Sequence, residues 1–427
     1  MKTIINAFKV KEIRRRLYFV FFCMVVIRLC TQIPIPGVSS DFFADWFSRN
    51  GASLNFLSAF TGGSFERMSI LALSITPYIT SSIIIELLTI AIPALEEMQR
   101  DGETGRKKLT EIIRFLTIGL SVMESTAMCI GFGRQGLIPD MTFIKAVTVV
   151  VAMTAGSCFL MWLGEQITEY GVGNGISIVL FINIVSRVPQ DLSSLFEQFV
   201  KGRTIAKAVL AVIVIAAIIL LIIMLAVMLN GAVRKIPVQY SRKVTGRIGG
   251  SYGSNIPLKV NTAGVIPVIF ASSLMSFPNI LLAFLGKEGL GFLNESTWFD
   301  FTRPLNSLGV IIYVFLIIFF AYFYTSITFN PMEIADNLKK QGGVIPGIRS
   351  GKPTELYLKD ILNAIIFIGA IGLTIVALIP IVLNGLFHAS VSFGGTSLII
   401  IVSVVLETLT QIDSMMAVRN YKGFLTK

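Results

Sequence analysis

The side chains best able to do chemistry are few and poorly placed for it. The one histidine, His388, has no acid nearby, and the four cysteines, Cys23, Cys30, Cys129 and Cys158, are scattered through apolar stretches. Cys23 and Cys30 lie seven apart on one helix and cannot bridge each other; small buried hydrophobes are the expected role. No Cys/His metal spacing, catalytic dyad motif or Walker sequence occurs. Gly171-Val172-Gly173-Asn174-Gly175 has the glycine content of a phosphate loop, but no strand precedes it and no spaced third glycine follows. The expectation is a protein without catalysis, metal or cofactor. What stands out instead is charge inside long apolar runs: Arg28, Glu86, Arg114, Glu124 and Glu407. Arg28 and Arg114 sit near the ends of their runs, where long side chains snorkel to water. Glu124 is nearest the middle of its run, with Arg28 or a partner subunit as candidate neutralisers.

Hydrophobic residues make up 54% of the 427 and charged residues 14%, well below the roughly 25% charge of a soluble protein. Such a chain cannot cover its surface with polar groups, so lipid must be its main solvent. A helix crosses roughly 30 Å of hydrocarbon with about 20 apolar residues. Windows of that kind fall near 17–33, 68–92, 112–132, 142–163, 175–190, 207–229, 261–285, 307–329, 361–383 and 396–416, which predicts an all-α protein of about ten spans. Arg14, Arg15 and Arg16 precede the first window as in a signal peptide. Yet Gln32-Ile33-Pro34-Ile35-Pro36-Gly37 holds no small-residue cleavage site, so the window is a first span.

Lys and Arg set the orientation. With the N-terminus inside, the inner segments carry 24 and the outer ones 8, which puts both termini in the cytoplasm. One outer segment, 187–207, breaks the pattern with Arg187, Lys201, Arg203 and Lys207. The loop 230–260 has Arg234, Lys235, Arg242, Lys243, Arg247 and Lys259 and no acid. That charge suits anionic lipid, and the loop's length suits an arm reaching toward an acidic partner.

Two pairs of spans echo each other. Gly173-Asn174-Gly175-Ile176-Ser177-Ile178-Val179-Leu180 matches Phe393-Gly394-Gly395-Thr396-Ser397-Leu398-Ile399-Ile400, and Pro77-Tyr78-Ile79 matches Pro267-Val268-Ile269. The second span thus pairs with the seventh and the fifth with the tenth. An offset of five is odd, so the halves cross in opposite senses, and an inverted repeat places the pathway between its halves. Ile79, Ile269, Leu180 and Ile400 would then converge near the midplane as a water-repelling constriction. Ahead of the second span, Leu54-Asn55-Phe56-Leu57-Ser58-Ala59-Phe60 is amphipathic and too short to cross, and Thr61-Gly62-Gly63-Ser64 breaks it. It reads as a re-entrant stopper, with the span beginning near Arg67.

Several motifs resemble the SecY family, in order along the chain: Ile33-Pro34-Ile35-Pro36-Gly37, the run Ser74 to Ile85, Gly173-Asn174-Gly175-Ile176-Ser177, Pro257-Leu258-Lys259-Val260-Asn261, Ala263-Gly264-Val265-Ile266-Pro267, Pro346-Gly347-Ile348-Arg349 and Gly394-Gly395-Thr396-Ser397. The resemblance implies two inverted halves of five spans around an hourglass pore. It implies a pore ring of Ile75, Ile79, Ile176, Leu180, Ile269 and Ile400, with Leu180 standing where relatives carry isoleucine. It also implies a plug of Asn55, Phe56, Leu57, Ser58, Ala59, Phe60, Thr61, Gly62, Gly63, Ser64 and Phe65. A lateral gate would open between spans two and three and spans seven and eight, with Thr80 and Phe277 facing each other.

The loops 230–260 and 336–355 resemble docking arms for the SecA motor ATPase and the ribosome, with Arg242, Lys243, Arg247 and Arg349 as contacts. SecE and SecG subunits, signal sequences, nascent chains and anionic lipids complete the implied partners, in a bacterial inner membrane. The organisation expected is a basic N-terminus at 1–16, a first half at 17–200, a second half at 201–416 and a cytoplasmic tail at 417–427. An ion-coupled secondary transporter is the alternative, since it too uses inverted repeats. Its midplane should gather polar groups to bind solute, whereas the positions here are aliphatic.

Overall fold

A computed structural model describes residues 7–38, 61–133, 142–201, 205–240, 254–285, 308–387 and 395–425. The chain runs α1 (Lys11–Cys30), α2 (Thr76–Ala91), α3 (Pro93–Arg100), α4 (Glu103–Gly133), α5 (Phe143–Tyr170), α6 (Gly175–Phe199), α7 (Ile205–Gly231), β1 (Val233–Tyr240), β2 (Ser254–Lys259), α8 (Ile266–Leu285), α9 (Leu308–Thr328), α10 (Pro331–Lys340), β3 (Gly343–Val344), α11 (Lys352–Phe387) and α12 (Gly395–Leu425). Among the described residues, seven helices are long and apolar enough to cross a bilayer, and the bent pair α2–α3 makes an eighth. The apolar α8 and α1, each of twenty residues, fall on the seventh and first windows of the sequence.

Proline and capping residues place the helix ends that matter. Pro77 sits in the first turn of α2, where its missing N–H is no loss. Pro93 opens α3 after a bend of 108°. Asn174 caps α6, its side-chain oxygen accepting from the N–H groups of Ile176 and Ser177. Between α5 and α6 the backbones nearly touch: a Cβ added to Gly175 would lie 1.8 Å from the Gly164 carbonyl oxygen.

The helices pack as two groups. In the first, α2 lies on α4, α4 on α5, α5 on α6, and α1 on α5 and α6; in the second, α8 lies on α9, α9 on α11, α11 on α12, and α7 on α11 and α12. The groups meet along two seams, α8 against α2 and α4, and α12 with α7 against α6. One apolar cluster joins both groups, drawing on Ile27, Tyr78, Val179, Ile222, Val268, Ile317, Leu373 and Ile399.

Three sequence expectations change. The second span begins at Thr76 rather than near 67, because residues 62–68 and 70–75 run as turns, with Met68 and Ser74 both at positive φ. The span expected over 175–190 continues to Phe199 through Pro189, so Arg187 is part of a helix and not of an outer loop. The basic arms contain strands: β1 pairs antiparallel with β2 and β3 in the order β2-β1-β3, with Val233 opposite Lys259 and Gln239 opposite Val344. Ile236, Val238, Leu258, Leu338, Ile345 and Leu358 bury together under this sheet. It rests on α11, whose 36 residues span about 54 Å at 1.5 Å each, well beyond the hydrocarbon layer.

Candidate functional site

The two halves present their aliphatic residues in matching local frames. Pro77 and Pro267 are each the second residue of their helix, and Ile79 and Ile269 each the fourth. The entry turns match as well: the N–H groups of Tyr78 and Ile79 bond the Ile75 carbonyl, and those of Val268 and Ile269 bond the Val265 carbonyl. Gly175 opens α6 as Gly395 opens α12, so Leu180 and Ile400 are both sixth. Ile75, Ile79, Leu180, Ile269 and Ile400 are buried in the one large apolar cluster, and half-buried Ile176 packs against it. The side chains that meet in that cluster offer one another dispersion contacts.

The expected plug lies partly outside the described residues, which exclude Asn55, Phe56, Leu57, Ser58, Ala59 and Phe60. Of the rest, Thr61, Ser64 and Phe65 are buried, and Gly62 and Gly63 take positive φ in a tight turn. Phe65 packs with Ile35, Met68 and Met153. The motif Ile33 to Gly37 pairs with the chain just beyond, Ile35 N–H donating to the Met68 carbonyl and Ile70 N–H to that of Ile33. Thr80 is half-buried on α2, its hydroxyl bonding the Thr76 carbonyl. Phe277 lies on α8, which packs against α2 and α4. Arg242, Lys243 and Arg247 fall outside the described residues, while Arg349 is exposed in the turn between β3 and α11.

Arg28 and Arg114, two of the charged residues within the spans, have acceptors inside the protein. Arg28 does not snorkel: it donates to the side-chain oxygen of Asn183 at 3.0 Å and to the Gly62 carbonyl at 3.5 Å. Arg114 is ion-paired with Glu165 across α4 and α5 at 2.8 Å. Glu124 is buried on α4, and Arg28, occupied elsewhere, is not its neutraliser. Lipid-facing solvation is poor for a guanidinium, so an acceptor within the protein wins over an extended reach to water.

Sequence reading missed a polar stripe on α6. Asn183, Arg187 and Asp191 recur at every fourth position and are all buried, which puts them on one face of the helix. The Asn183 amide donates to the Ser74 hydroxyl at 3.1 Å, and Arg187 pairs with Glu66 at 2.7 Å. The i, i+4 spacing of polar residues in an apolar span was the available signal. Counting Arg187 and Lys201 as loop charges hid it, although Lys201 is itself paired with Glu197.

The SecY family model matches residues 69–409. The chain is 42% identical to protein translocase subunit SecY of Streptomyces scabiei, with 98% of each chain covered. It is 40% and 38% identical to the subunits of Halalkalibacterium halodurans and Staphylococcus aureus, with 99% of each chain covered. Among solved structures, one described as a protein conducting channel matches with a TM-score of 0.64 at 19% identity, over 94% of this chain and 93% of that one. Sec61 in the canine ribosome-channel complex from the endoplasmic reticulum matches at 0.62 and 18%, with the same coverage. At such identities the structural likeness speaks for the fold alone.

Proposed function

The chain belongs to the SecY family, and on that premise we propose how its residues conduct a polypeptide. It is a protein-conducting channel, which passes unfolded secretory chains across the cytoplasmic membrane and releases hydrophobic helices sideways into lipid. Ten spans in two inverted halves, 17–200 and 201–416, surround the pathway, and both termini face the cytoplasm. The family assignment replaces the transporter alternative.

Ile75, Ile79, Ile176, Leu180, Ile269 and Ile400 form the waist. The observation that carries this is the matched placement of Ile79 with Ile269 and Leu180 with Ile400 at the starts of four helices, all four buried in one apolar cluster. Dispersion needs no particular partner, so an aliphatic waist can close around almost any passing sequence. A charged ring would attract ions and trap oppositely charged stretches. Residues 55–65 act as the plug on the outer side.

The lateral gate opens between α2 and α4 on one side and α8 and α9 on the other, along the seam where α8 packs on α2 and α4, with Thr80 and Phe277 at facing positions. A segment passing that seam chooses between water and lipid. Each Leu, Ile, Phe or Val at its centre favours lipid by about 0.3–0.6 kcal/mol, and each Lys, Arg or Asp disfavours it by roughly 2.5–3.5 kcal/mol. The channel supplies the choice of solvents and the segment supplies the energy difference. The sequence has no nucleotide-binding motif, so the driving force comes from SecA or the ribosome, docked on the arms that carry Arg242, Lys243, Arg247 and Arg349, and from the proton-motive force. SecE and SecG are the companion subunits, and anionic lipids meet the basic inner loops.

Crosslinking tests the waist. In a chain whose four native cysteines are replaced by serine, a stalled secretory polypeptide should crosslink to Ile79→Cys and to Ile269→Cys. It should not crosslink to Phe115→Cys, which is 76% exposed on α4. Crosslinks at Phe115→Cys with none at the other two would remove the waist from the pathway.

A further inference from the structure

The polar stripe on α6 serves no part of the conduction pathway described above, yet Asn183 and Arg187 make side-chain contacts to other segments of the first half. The contacts of Asn183 and Arg187 converge on one stretch of chain, residues 61–75, which takes in the last five residues of the proposed plug and runs mainly as turns up to α2. At the start of that stretch, the Gly62 carbonyl accepts from Arg28 of α1 and Glu66 pairs with Arg187 of α6. At its end, the Ser74 hydroxyl accepts from Asn183 of α6. Asn183 joins the two ends, since its oxygen also receives the Arg28 guanidinium.

Steric fit reinforces the polar contacts. A Cβ on Gly62, which already takes φ of +63°, would lie 2.9 Å from the Asn183 backbone and 3.0 Å from the Arg28 guanidinium. At Gly62 the stretch is therefore pressed closely against α6. The ion pair is also sheltered, the side chains of Arg187 and Glu66 being 8% and 20% exposed. A sheltered pair is worth more than a surface one and leaves a costly buried charge when one partner is removed.

We propose that Arg28, Asn183 and Arg187 form a polar latch that holds residues 61–75, which include the last five of the proposed plug, against the end of α1 and the middle of α6 and sets how readily that stretch moves aside. The proposal rests on the reading of this chain as a plugged channel. Apolar contacts alone would let the stretch slide, because they lack direction. The Glu66–Arg187 pair and the two-sided Asn183 bonds fix one position, and release means exchanging those partners for water at the outer face.

The test uses the complete membrane complex reconstituted in vesicles without substrate, with ion leak as the first reading. Glu66→Arg and Arg187→Glu should each raise leak by about ten-fold or more, the effect of losing a sheltered pair. The double variant Glu66→Arg/Arg187→Glu should bring it back toward the parent. The milder Glu66→Gln guards against misfolding: in that background a Ser64→Cys reporter, buried in the parent, should react with an impermeant maleimide from outside several times faster. Ile400→Asn serves as the reference for the channel itself. Leak with Ile400→Asn but parental leak and labelling in the Glu66 and Arg187 variants overturns the latch and leaves the channel standing. No restoration in the double variant also overturns it. Parental leak in every variant, Ile400→Asn included, removes the channel reading on which the latch depends.

Discussion

Replacing Ile400 by asparagine should open the resting channel to ions. Ile400 is fully buried, in the same cluster as Ile79, Leu180 and Ile269. The substitution removes apolar burial worth about 1.5–3 kcal/mol and places an amide among aliphatic neighbours, at about 1–3 kcal/mol more on mutational scales. Both penalties fall on the shut state, because in an open, water-filled waist the amide is solvated. A net shift of about 3 kcal/mol moves the balance between shut and open on the order of 100-fold. Ile400→Val removes one methylene, costs about 0.5–1.5 kcal/mol and should leak little. The assay is ion flux through the purified complex in vesicles, paired with export of a precursor whose signal sequence is defective. Leak and relaxed stringency should rise together. Ile317→Asn separates a waist from mere core damage: Ile317 is as deeply buried, on α9, but lies outside the proposed ring, so it should lower thermal stability without comparable leak. Equal leak from Ile317→Asn and Ile400→Asn, or parental leak from Ile400→Asn in a folded complex, refutes the reasoning.

Two further perturbations address other elements. Gly175→Ala would bring a Cβ to 1.8 Å from the Gly164 carbonyl oxygen, forcing α5 and α6 apart at a cost of about 1–3 kcal/mol; thermal unfolding in detergent should show the loss, and an unchanged profile would mean the contact is not tight. Arg349→Glu should weaken SecA-driven export in inverted vesicles while leaving folding intact, since its side chain is exposed and the local turn is held through its backbone carbonyl, which accepts from the Thr354 hydroxyl. Export at the parental rate would take Arg349 out of motor docking.

The sequence revealed those features that depend on local composition and missed those that depend on one element meeting another. The apolar runs of α7 and α9 begin and end within two residues of the windows read from hydropathy, because an uninterrupted apolar segment has no alternative to a helix in lipid. The repeat was legible because proline and glycine mark the starts of α2, α8, α6 and α12. The late start of α2 was not legible. Residues 68–75 are apolar enough to look like span, and contacts from elsewhere in the chain hold them in turns: the Asn183 amide on the Ser74 hydroxyl and the backbone of Ile33–Gly37 on Met68 and Ile70. The strands β1 and β2 were hidden for a related reason. A count of basic residues says where a loop lies, whereas pairing of Ile236 with Ile256 and burial against Leu358 decide its shape. The α6 stripe stands in the sequence as a spacing of four, but Arg187 also counts toward the positive charge of a loop, and one residue cannot serve both readings.

The contrast between waist and latch explains why a channel of this kind needs both kinds of contact. A seal that must yield to any polypeptide has to be non-directional, and aliphatic burial is that. Non-directional contacts cannot by themselves define a single resting position, so position must come from polar pairs whose geometry is exacting. Those pairs cannot hold too firmly, or the chain arriving from the cytoplasm could not displace them. Backbone strain moderates them: Met68 at φ of 43° and Ser74 at 54° both occupy the left-handed region, which costs of order 1–3 kcal/mol for each residue without being glycine. Breaking the sheltered Glu66–Arg187 pair costs about 3–5 kcal/mol, and relaxation of the two strained residues returns a comparable amount. The stretch from 61 to 75 is thus held specifically but not deeply. Ser74→Gly removes both the strain at that residue and the hydroxyl that Asn183 grips, so its effect on resting leak should be smaller than that of Glu66→Gln, which breaks a hold and leaves the strain in place. A larger leak from Ser74→Gly would show that the hydroxyl, and not the ion pair, carries the latch.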